Sequence, residues 1–188
     1  MSNRLHGKRI AIFVEDLFED SELLEPMHFL RAEGAAVSIV GPGRARQFRG
    51  KQGSLIEADI DAANVDIFAF DAFIVPGGYA PGKMRNSDAM IDLIARADDR
   101  GKIIAAICHG PQLLISADIL RGRMCTSVRN IAVDVKNAGA SFFDDSVVVD
   151  GNLITSRTPD DLPQFLEAIA DALVASDPRI RQHMVAGA

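Results

Sequence analysis

Three stretches of this chain are apolar without interruption: Ile10-Ala11-Ile12-Phe13-Val14, Ala72-Phe73-Ile74-Val75 and Ile103-Ile104-Ala105-Ala106-Ile107. Each has the length of a strand rather than of a helix. A strand with one face in water alternates apolar and polar side chains. An unbroken run therefore reads as a strand covered on both faces, the arrangement of parallel sheets flanked by helices. Helical spacing fills the intervals. Leu23, Met27 and Leu30, with Leu24 beside them, follow a start at Asp20 or Ser21 and precede a stop at Gly34, and Pro26 predicts a kink between. Met90, Ile91 and Ile94 form the inner face of a second helix that begins at Ser87 or Asp88 and stops at Gly101. Leu162, Phe165, Leu166, Ile169, Ala170 and Leu173 do the same for a last helix capped by Asp160. Strands alternating with helices in this way predict an α/β fold, a mainly parallel sheet with helices on both faces.

The rest of the chain fits around that frame. Residues 37–40 read as a second short strand. Gly50, Gly53 and the partial alternation around Leu55, Ile56 and Ile60 predict a small antiparallel excursion within residues 44–70. Gly110-Pro111 opens a short helix, residues 131–138 form another with Gly139 as its stop, and Asp150-Gly151 supplies the tight turn of a hairpin over residues 147–155. No linker, repeat or low-complexity stretch divides the 188 residues, so one domain is expected, with its core at about residues 8–175 and a polar tail from Asp177.

Composition narrows the functional classes. Hydrophobic residues at 48% and charged ones at 24% are those of a soluble globular chain, and a domain this long buries ~70% of its unfolded surface without needing a staple. A net charge of −6 disfavours nucleic-acid and membrane surfaces, which attract basic patches. Cys108 and Cys125 are the only cysteines, and no Cys/His cluster predicts a metal site. Residues 1–9 lack the apolar core of a secretory leader, and no run approaches the ~18 apolar residues of a membrane span. A reducing, cytoplasmic setting is expected.

Open parallel sheets carry their sites at the carboxyl ends of strands, near the point where strand order reverses. Three segments take such positions: the acidic run after the first strand, Gly77-Gly78 after the third, and Cys108-His109-Gly110 after the fourth. Cys108 falls at a strand-to-helix turn with Ala106 and Gly110 two residues to either side, the pattern of a nucleophile elbow. At the start of a helix its thiol pKa would fall from ~8.5 toward the ~3.5–7.5 of reactive cysteines. Without that setting, a cysteine is more often a small buried hydrophobe. The backbone N–H of His109 is placed to donate to an oxyanion, whereas its ring sits on a residue adjacent to the nucleophile and its direction is open.

Gly77-Gly78 either makes a tight turn or brings backbone amides to a substrate oxygen. It lacks the third glycine and the immediate helix of a dinucleotide fingerprint. Glu15, Asp16, Glu19, Asp20 and Glu22 suit a solvated helix N-terminus. One carboxyl beside the thiolate would instead have a raised pKa and donate a proton, and spacing does not choose between Glu15 and Glu19. His6, His28 and His183 are expected to be structural or solvent-facing, Cys125 structural, and Arg157 part of a surface ion pair.

The stretch Ala106-Ile107-Cys108-His109-Gly110-Pro111-Gln112 resembles the PfpI (intracellular protease) branch of the ThiJ/PfpI superfamily, to which the Parkinson-associated protein deglycase also belongs. Phe18-Glu19-Asp20-Ser21-Glu22, Pro76-Gly77-Gly78-Tyr79-Ala80-Pro81, Leu120-Arg121-Gly122-Arg123 and the run from Val148 to Arg157 extend the likeness in the same order. The resemblance implies a flavodoxin-like three-layer sandwich with Cys108 as nucleophile and Glu19 as the family's acid. It also implies oxyanion amides from Gly78 and His109, with His109 as the base of a protease reading, and a homodimer or higher homo-oligomer. One position departs. Some PfpI-type proteases carry a carboxylate shortly after the Gly-Gly-x-Ala-Pro segment to orient the histidine across a subunit interface. Here Gly82 stands at that position, followed by Lys83.

Three functions remain in play. The first is an enzyme on reactive carbonyls such as methylglyoxal or their adducts on proteins. Cys108 would attack the carbonyl, Glu19 would shuttle the proton, and no metal or organic cofactor would be needed. The second is an intracellular cysteine peptidase, which Gly82 disfavours. The third is a non-enzymatic sensor or holdase working through oxidation of Cys108.

Overall fold

The three unbroken apolar runs become adjacent strands at the centre of the molecule. The computed structural model describes residues 3–43 and 46–176; the expected tail from Asp177, with His183, lies outside them. In chain order the elements are β1 (Arg9–Phe13), α1 (Asp20–Ala32), β2 (Ala36–Gly41), β3 (Gln47–Arg49), β4 (Leu55–Glu57), β5 (Ile60–Asp61), β6 (Ala72–Val75) and α2 (Ala80–Met84). There follow α3 (Asp88–Asp99), β7 (Ile103–Ile107), α4 (Pro111–Ser116), β8 (Met124–Cys125), α5 (Ala132–Asn137), β9 (Ser141–Phe142), β10 (Val147–Asp150), β11 (Leu153–Ser156) and α6 (Leu162–Ala175).

A seven-stranded sheet runs in the order β10-β11-β7-β6-β1-β2-β5. Its neighbours are parallel except for the hairpin of β10 with β11. Every residue of β6 and β7 is buried, as is β1 from Ile10 onward, which explains why these strands do not alternate. The stripe expected on α6 faces inward through Leu162, Phe165, Leu166, Ile169, Ala170 and Leu173, whereas on α3 Met90 and Ile94 are buried with Leu93 and Ala97 and Ile91 is only partly so. Phe13 and Phe73, from neighbouring strands, meet with ring centroids 6.5 Å apart and both are fully buried. This is the mostly parallel, helix-flanked sheet of a flavodoxin-like fold.

From β1 the chain steps to β2 on one side and later crosses to β6 on the other. Strand order reverses at β1, and the carboxyl ends of β1, β6 and β7 open side by side. The expected antiparallel excursion is the hairpin β3–β4, which leaves the sheet altogether. Its backbone is tied to the loop after β1: the Leu17 amide donates to Arg49 O at 2.7 Å, and the Lys51 amide to Phe18 O at 2.9 Å.

Four local readings differ from the sequence expectation. Helix α1 has Glu19 as its N-cap rather than Asp20 or Ser21. Asp20 instead accepts from the amides of Gln52 (2.8 Å) and Ser54 (3.0 Å) at the tip of the hairpin. Helix α2 follows Gly77-Gly78-Tyr79 at once, where none was expected, with Pro81 in its first turn. The β10–β11 turn is centred on Gly151-Asn152 rather than on Asp150-Gly151, since Asp150 pairs with Leu153; Gly151 carries the positive φ of 61°. Last, α6 is capped at Asp161, one residue later than expected, and the Asp161 carboxylate binds Arg157.

Truncating the aromatic at the centre of the sheet tests this core. Phe73→Ala is expected to lower the unfolding free energy by about 3–5 kcal/mol, read as a drop in the urea midpoint with an unchanged slope.

Candidate active site

The end of β6 brings the site together. The Gly77 amide donates to Glu22 Oε2 at 2.7 Å. A Cβ on Gly77 would lie 2.5 Å from that oxygen and 2.6 Å from Cys108 Cβ, so no larger residue fits between α1 and the turn after β7. Gly78 has φ of 77° and forms an isolated antiparallel bridge with Phe18. A Cβ there would sit 2.5 Å from Leu17 O and 2.5 Å from Glu19 N. Both glycines are buried, and Gly78 turns its amide toward the Cys108 sulfur.

Cys108 holds a φ of 60°, a conformation costly for any residue with a Cβ and found chiefly where function requires it. Hydrogen bonds on both sides maintain it. The Cys108 amide donates to Ser156 O at 3.0 Å, and its carbonyl accepts from the Val128 amide at 3.1 Å. Gly110 completes the turn, because a Cβ there would meet Val75 O at 2.5 Å. The thiol is half-buried, with the amides of Gly78 and His109 aimed at it.

Of the acidic run, Glu22 is the carboxyl that reaches the sulfur. It is fully buried and close enough to Cys108 for the two groups to shift each other's proton affinity. Glu19, the residue expected there, turns the other way: Lys51 Nζ lies 2.6 Å from its Oε2, and Gln52 Nε2 donates to its Oε1 at 2.8 Å. Glu15 is buried but accepts from the Asp16 amide at 2.8 Å. The cause is helical phase. Glu22 precedes Pro26 and Leu30 by four and eight residues, so it shares their buried stripe, whereas Glu19 caps the helix beneath the hairpin. That spacing was present in the sequence, masked by the four other acids of the run.

Burial and the nearby Glu19 charge push the Glu22 carboxyl up to about 7, against the pull of the Gly77 amide. With Glu22 ionised, burial and that carboxylate push the Cys108 thiol up to about 12, only partly opposed by the amides of Gly78 and His109. The thiol depression expected from a helix terminus is thus outweighed, and α4 is only six residues long. Above about pH 7 the two acids hold one proton between them. When it resides on Glu22, the sulfur is a thiolate held by two amides and a carboxyl O–H, and Glu22 Oε1, otherwise without a partner, gains one.

His109 is half-buried, and its Nδ1 lies 3.3 Å from Cys108 Sγ. Burial and the Lys51 ammonium lower its pKa, which keeps the ring neutral at pH 7, while a hydrogen bond to the Asn130 side chain works in the opposite direction. Lys51 spans the mouth of the site between Glu19 and the ring of exposed Tyr79, 5.6 Å from its centroid. Gly82 lies exposed on α2 and offers His109 no carboxylate. Cys125 is fully buried, its Sγ against Thr126 O at 3.2 Å, and both cysteines are free. His6 and His28 are exposed, and Arg157 pairs with Asp161 and Asp144 at 3.0 Å each. Among the described residues no group of three or more His, Cys, Asp or Glu could hold a metal ion, and no helix is long and apolar enough to cross a membrane.

A sheet with this order, an elbow cysteine and a buried carboxyl facing it define a cysteine-centred α/β protein of the flavodoxin-like class. The model of the DJ-1/PfpI family matches residues 8–172, and the chain belongs to that family. It is 44% identical over 161 residues to protein/nucleic acid deglycase 2 of Escherichia coli, covering 85% of this chain and 94% of that one. A deglycase of Thermococcus kodakarensis is 43% identical over 165 residues, covering 88% and 99%. Among solved structures, a two-domain protein of Anabaena variabilis with DJ-1/ThiJ/PfpI-like and ferritin-like domains superposes with a TM-score of 0.87 at 41% identity. That match covers 88% of this chain and 48% of the larger one.

The raised Glu22 pKa makes a stability prediction. The unfolded carboxyl releases its proton near 4.5 and the folded one near 7, so the folded state binds that proton more tightly. Stability therefore falls as pH rises from about 4.5 to about 7 and stays lower above. Glu22→Gln should raise the unfolding free energy by about 2–3 kcal/mol at about pH 8 and change it little at about pH 4, in urea titrations at both.

Proposed function

We propose that the protein is a cofactor-free, cysteine-dependent enzyme that acts on α-oxoaldehydes such as methylglyoxal, or on their early adducts with protein side chains. The observation that carries this reading is the pairing of Cys108 with a buried carboxyl whose proton is available near neutral pH, beneath two backbone donors. The deglycase names of the two curated relatives support the same substrate class. A net charge of −6 favours a small carbonyl or a protein adduct over a nucleic-acid surface. A cytoplasmic setting and a homodimer or larger assembly of this chain belong to the same reading.

Sulfur attacks the aldehyde carbon, and the oxygen takes up negative charge where the amides of Gly78 and His109 point. Glu22 delivers its proton to that oxygen and yields a hemithioacetal. Transfer of the former aldehyde hydrogen, as a proton, to the neighbouring carbon converts it to a hydroxyacyl thioester, and water releases the acid and restores the thiol. His109, with a neutral ring, and Glu22 are the two groups within reach of the sulfur to carry protons through these steps. A peptidase would need the same nucleophile and an oriented histidine, and Gly82 leaves the family's orienting acid absent.

Methylglyoxal consumption, measured beside a casein-type substrate, tests the proposal. Cys108→Ala should abolish turnover and Glu22→Gln should lower kcat/KM by about 10²–10⁴-fold, while Glu19→Gln stays within about tenfold. For the wild type, kcat/KM should rise with pH through about 7 as the Cys108–Glu22 pair passes from two protons to one, and Glu22→Gln should remove that limb. Equal turnover by Cys108→Ala would overturn the reading.

A further inference from the structure

A residue with a Cβ held at φ of 60° relaxes unless its peptide is gripped from both sides. The two grips on Cys108 come from segments far apart in the chain: the Val128 amide on its carbonyl at 3.1 Å, and Ser156 O on its amide at 3.0 Å. A third segment, residues 143–146 between β9 and β10, ties those two together. At one end of it the Phe143 amide donates to Cys125 O at 3.0 Å, three residues before Val128. At the other end the hydroxyl of fully buried Ser156 donates to Ser146 O at 2.7 Å. Asp144 stands between these contacts, and its two oxygens part. Oδ2 lies 3.3 Å from Arg129 Nη1 and Oδ1 lies 3.0 Å from Arg157 Nη1. Arg129 directly follows Val128, and Arg157 directly follows Ser156. The Arg157 guanidinium is aimed by a fork onto the Asp161 carboxylate, at 3.0 and 3.2 Å, and donates to Asp144 O at 3.2 Å as well.

We propose that the loop of residues 143–146 is a brace for the Cys108 turn, with Ser156 and Asp144 as its positioning residues. The path closes on itself: from the Cys108 carbonyl through Val128, Arg129, Asp144, Arg157 and Ser156 back to the Cys108 amide. The Ser156 hydroxyl fixes the end of β11 against the loop, and the Asp144 carboxylate spans the two arms. Neither side chain needs to touch substrate or sulfur. Both act through the main chain, by keeping the φ that sets the sulfur before the amides of Gly78 and His109. With the brace cut, the end of β11 draws back, the turn relaxes toward negative φ, and the sulfur swings away from those donors. Arg157 is thus more than the surface ion pair expected from its place in the sequence. The brace rests on Cys108 being the nucleophile, but not on which carbonyl it attacks.

The first test therefore needs no turnover: the pH profile of Cys108 alkylation by iodoacetamide, separated from buried Cys125 by peptide mass. In the wild type the rate should rise through about pH 7, as the Cys108–Glu22 pair loses its first proton. Glu19, Glu22, Lys51 and His109, the ionisable groups around the sulfur, are unchanged in the variants, so a moved midpoint reports the turn. Loss of the amide contacts disfavours the thiolate, which moves the midpoint up. Ser156→Ala should raise it by about one pH unit and lower kcat on methylglyoxal by about tenfold, with KM within about twofold. Asp144→Ala should raise it by about half a unit and lower kcat by about threefold. Its urea midpoint should stay that of the wild type, because exposed ion pairs add little to folding stability. Asp144→Glu keeps both oxygens and should recover the wild-type profile, whereas Asp144→Asn, with one acceptor oxygen, should not. A wild-type alkylation midpoint in either alanine variant would overturn the inference, as would an Asp144→Asn profile identical to that of the wild type. Shifted midpoints in a protein that does not turn over methylglyoxal would uphold the brace while sinking the proposed substrate.

Discussion

One hydrogen bond, from the Gly77 amide to Glu22 Oε2 at 2.7 Å, holds a carboxyl beneath the Cys108 sulfur, and the site depends on it. It joins the end of β6 to the first turn of α1 at a point where a side chain on residue 77 would collide with both Glu22 and Cys108. A buried carboxylate is costly unless its oxygens are satisfied. Here one oxygen has the amide, and the other has only the sulfur to share a proton with. The unfavourable burial of Glu22 and the raised pKa of the Cys108 thiol are therefore one physical fact seen from two residues.

Around that contact the remaining elements act on charge. The β3–β4 hairpin brings Lys51 and Gln52 onto Glu19, so the second acid of the loop is neutralised at the rim. Its negative charge still raises the Glu22 carboxyl, and the Lys51 ammonium lowers it and the His109 ring together. The hairpin is anchored to the backbone of residues 17 and 18 and by Asp20, so these charges are fixed by main-chain hydrogen bonds rather than by long, free side chains. The strained turn at Cys108 is held in the same way, by the main chains of Ser156 and Val128.

Much of this was legible in advance where burial alone decides residue type. Strands β1, β6 and β7 declared themselves because a strand with no wet face has no reason to alternate, and the stripes of α3 and α6 because a helix over a sheet has one dry side. Cys108 stood out because small residues flank it at a strand end. What misled was local detail. Helix α2 is five residues long and held by its surroundings, too short to leave a periodic pattern. The hairpin turn slipped by one residue because Asp-Gly and Gly-Asn both accommodate a positive φ.

The sequence by itself determined the layered fold, the order of its elements and the place of the elbow cysteine, since each follows from hydrophobic period or from residues adjacent in the chain. Tertiary structure alone decided which acid faces that sulfur and whether the thiol pKa goes up or down. Glu19 and Glu22 are the same residue type three positions apart, and only the sheet beneath α1 makes one face wet and the other dry. Val128 reaches the Cys108 carbonyl because the segment after β8 folds back on that turn. Such contacts depend on distances of a few ångströms between segments far apart in the chain, which a linear pattern does not encode.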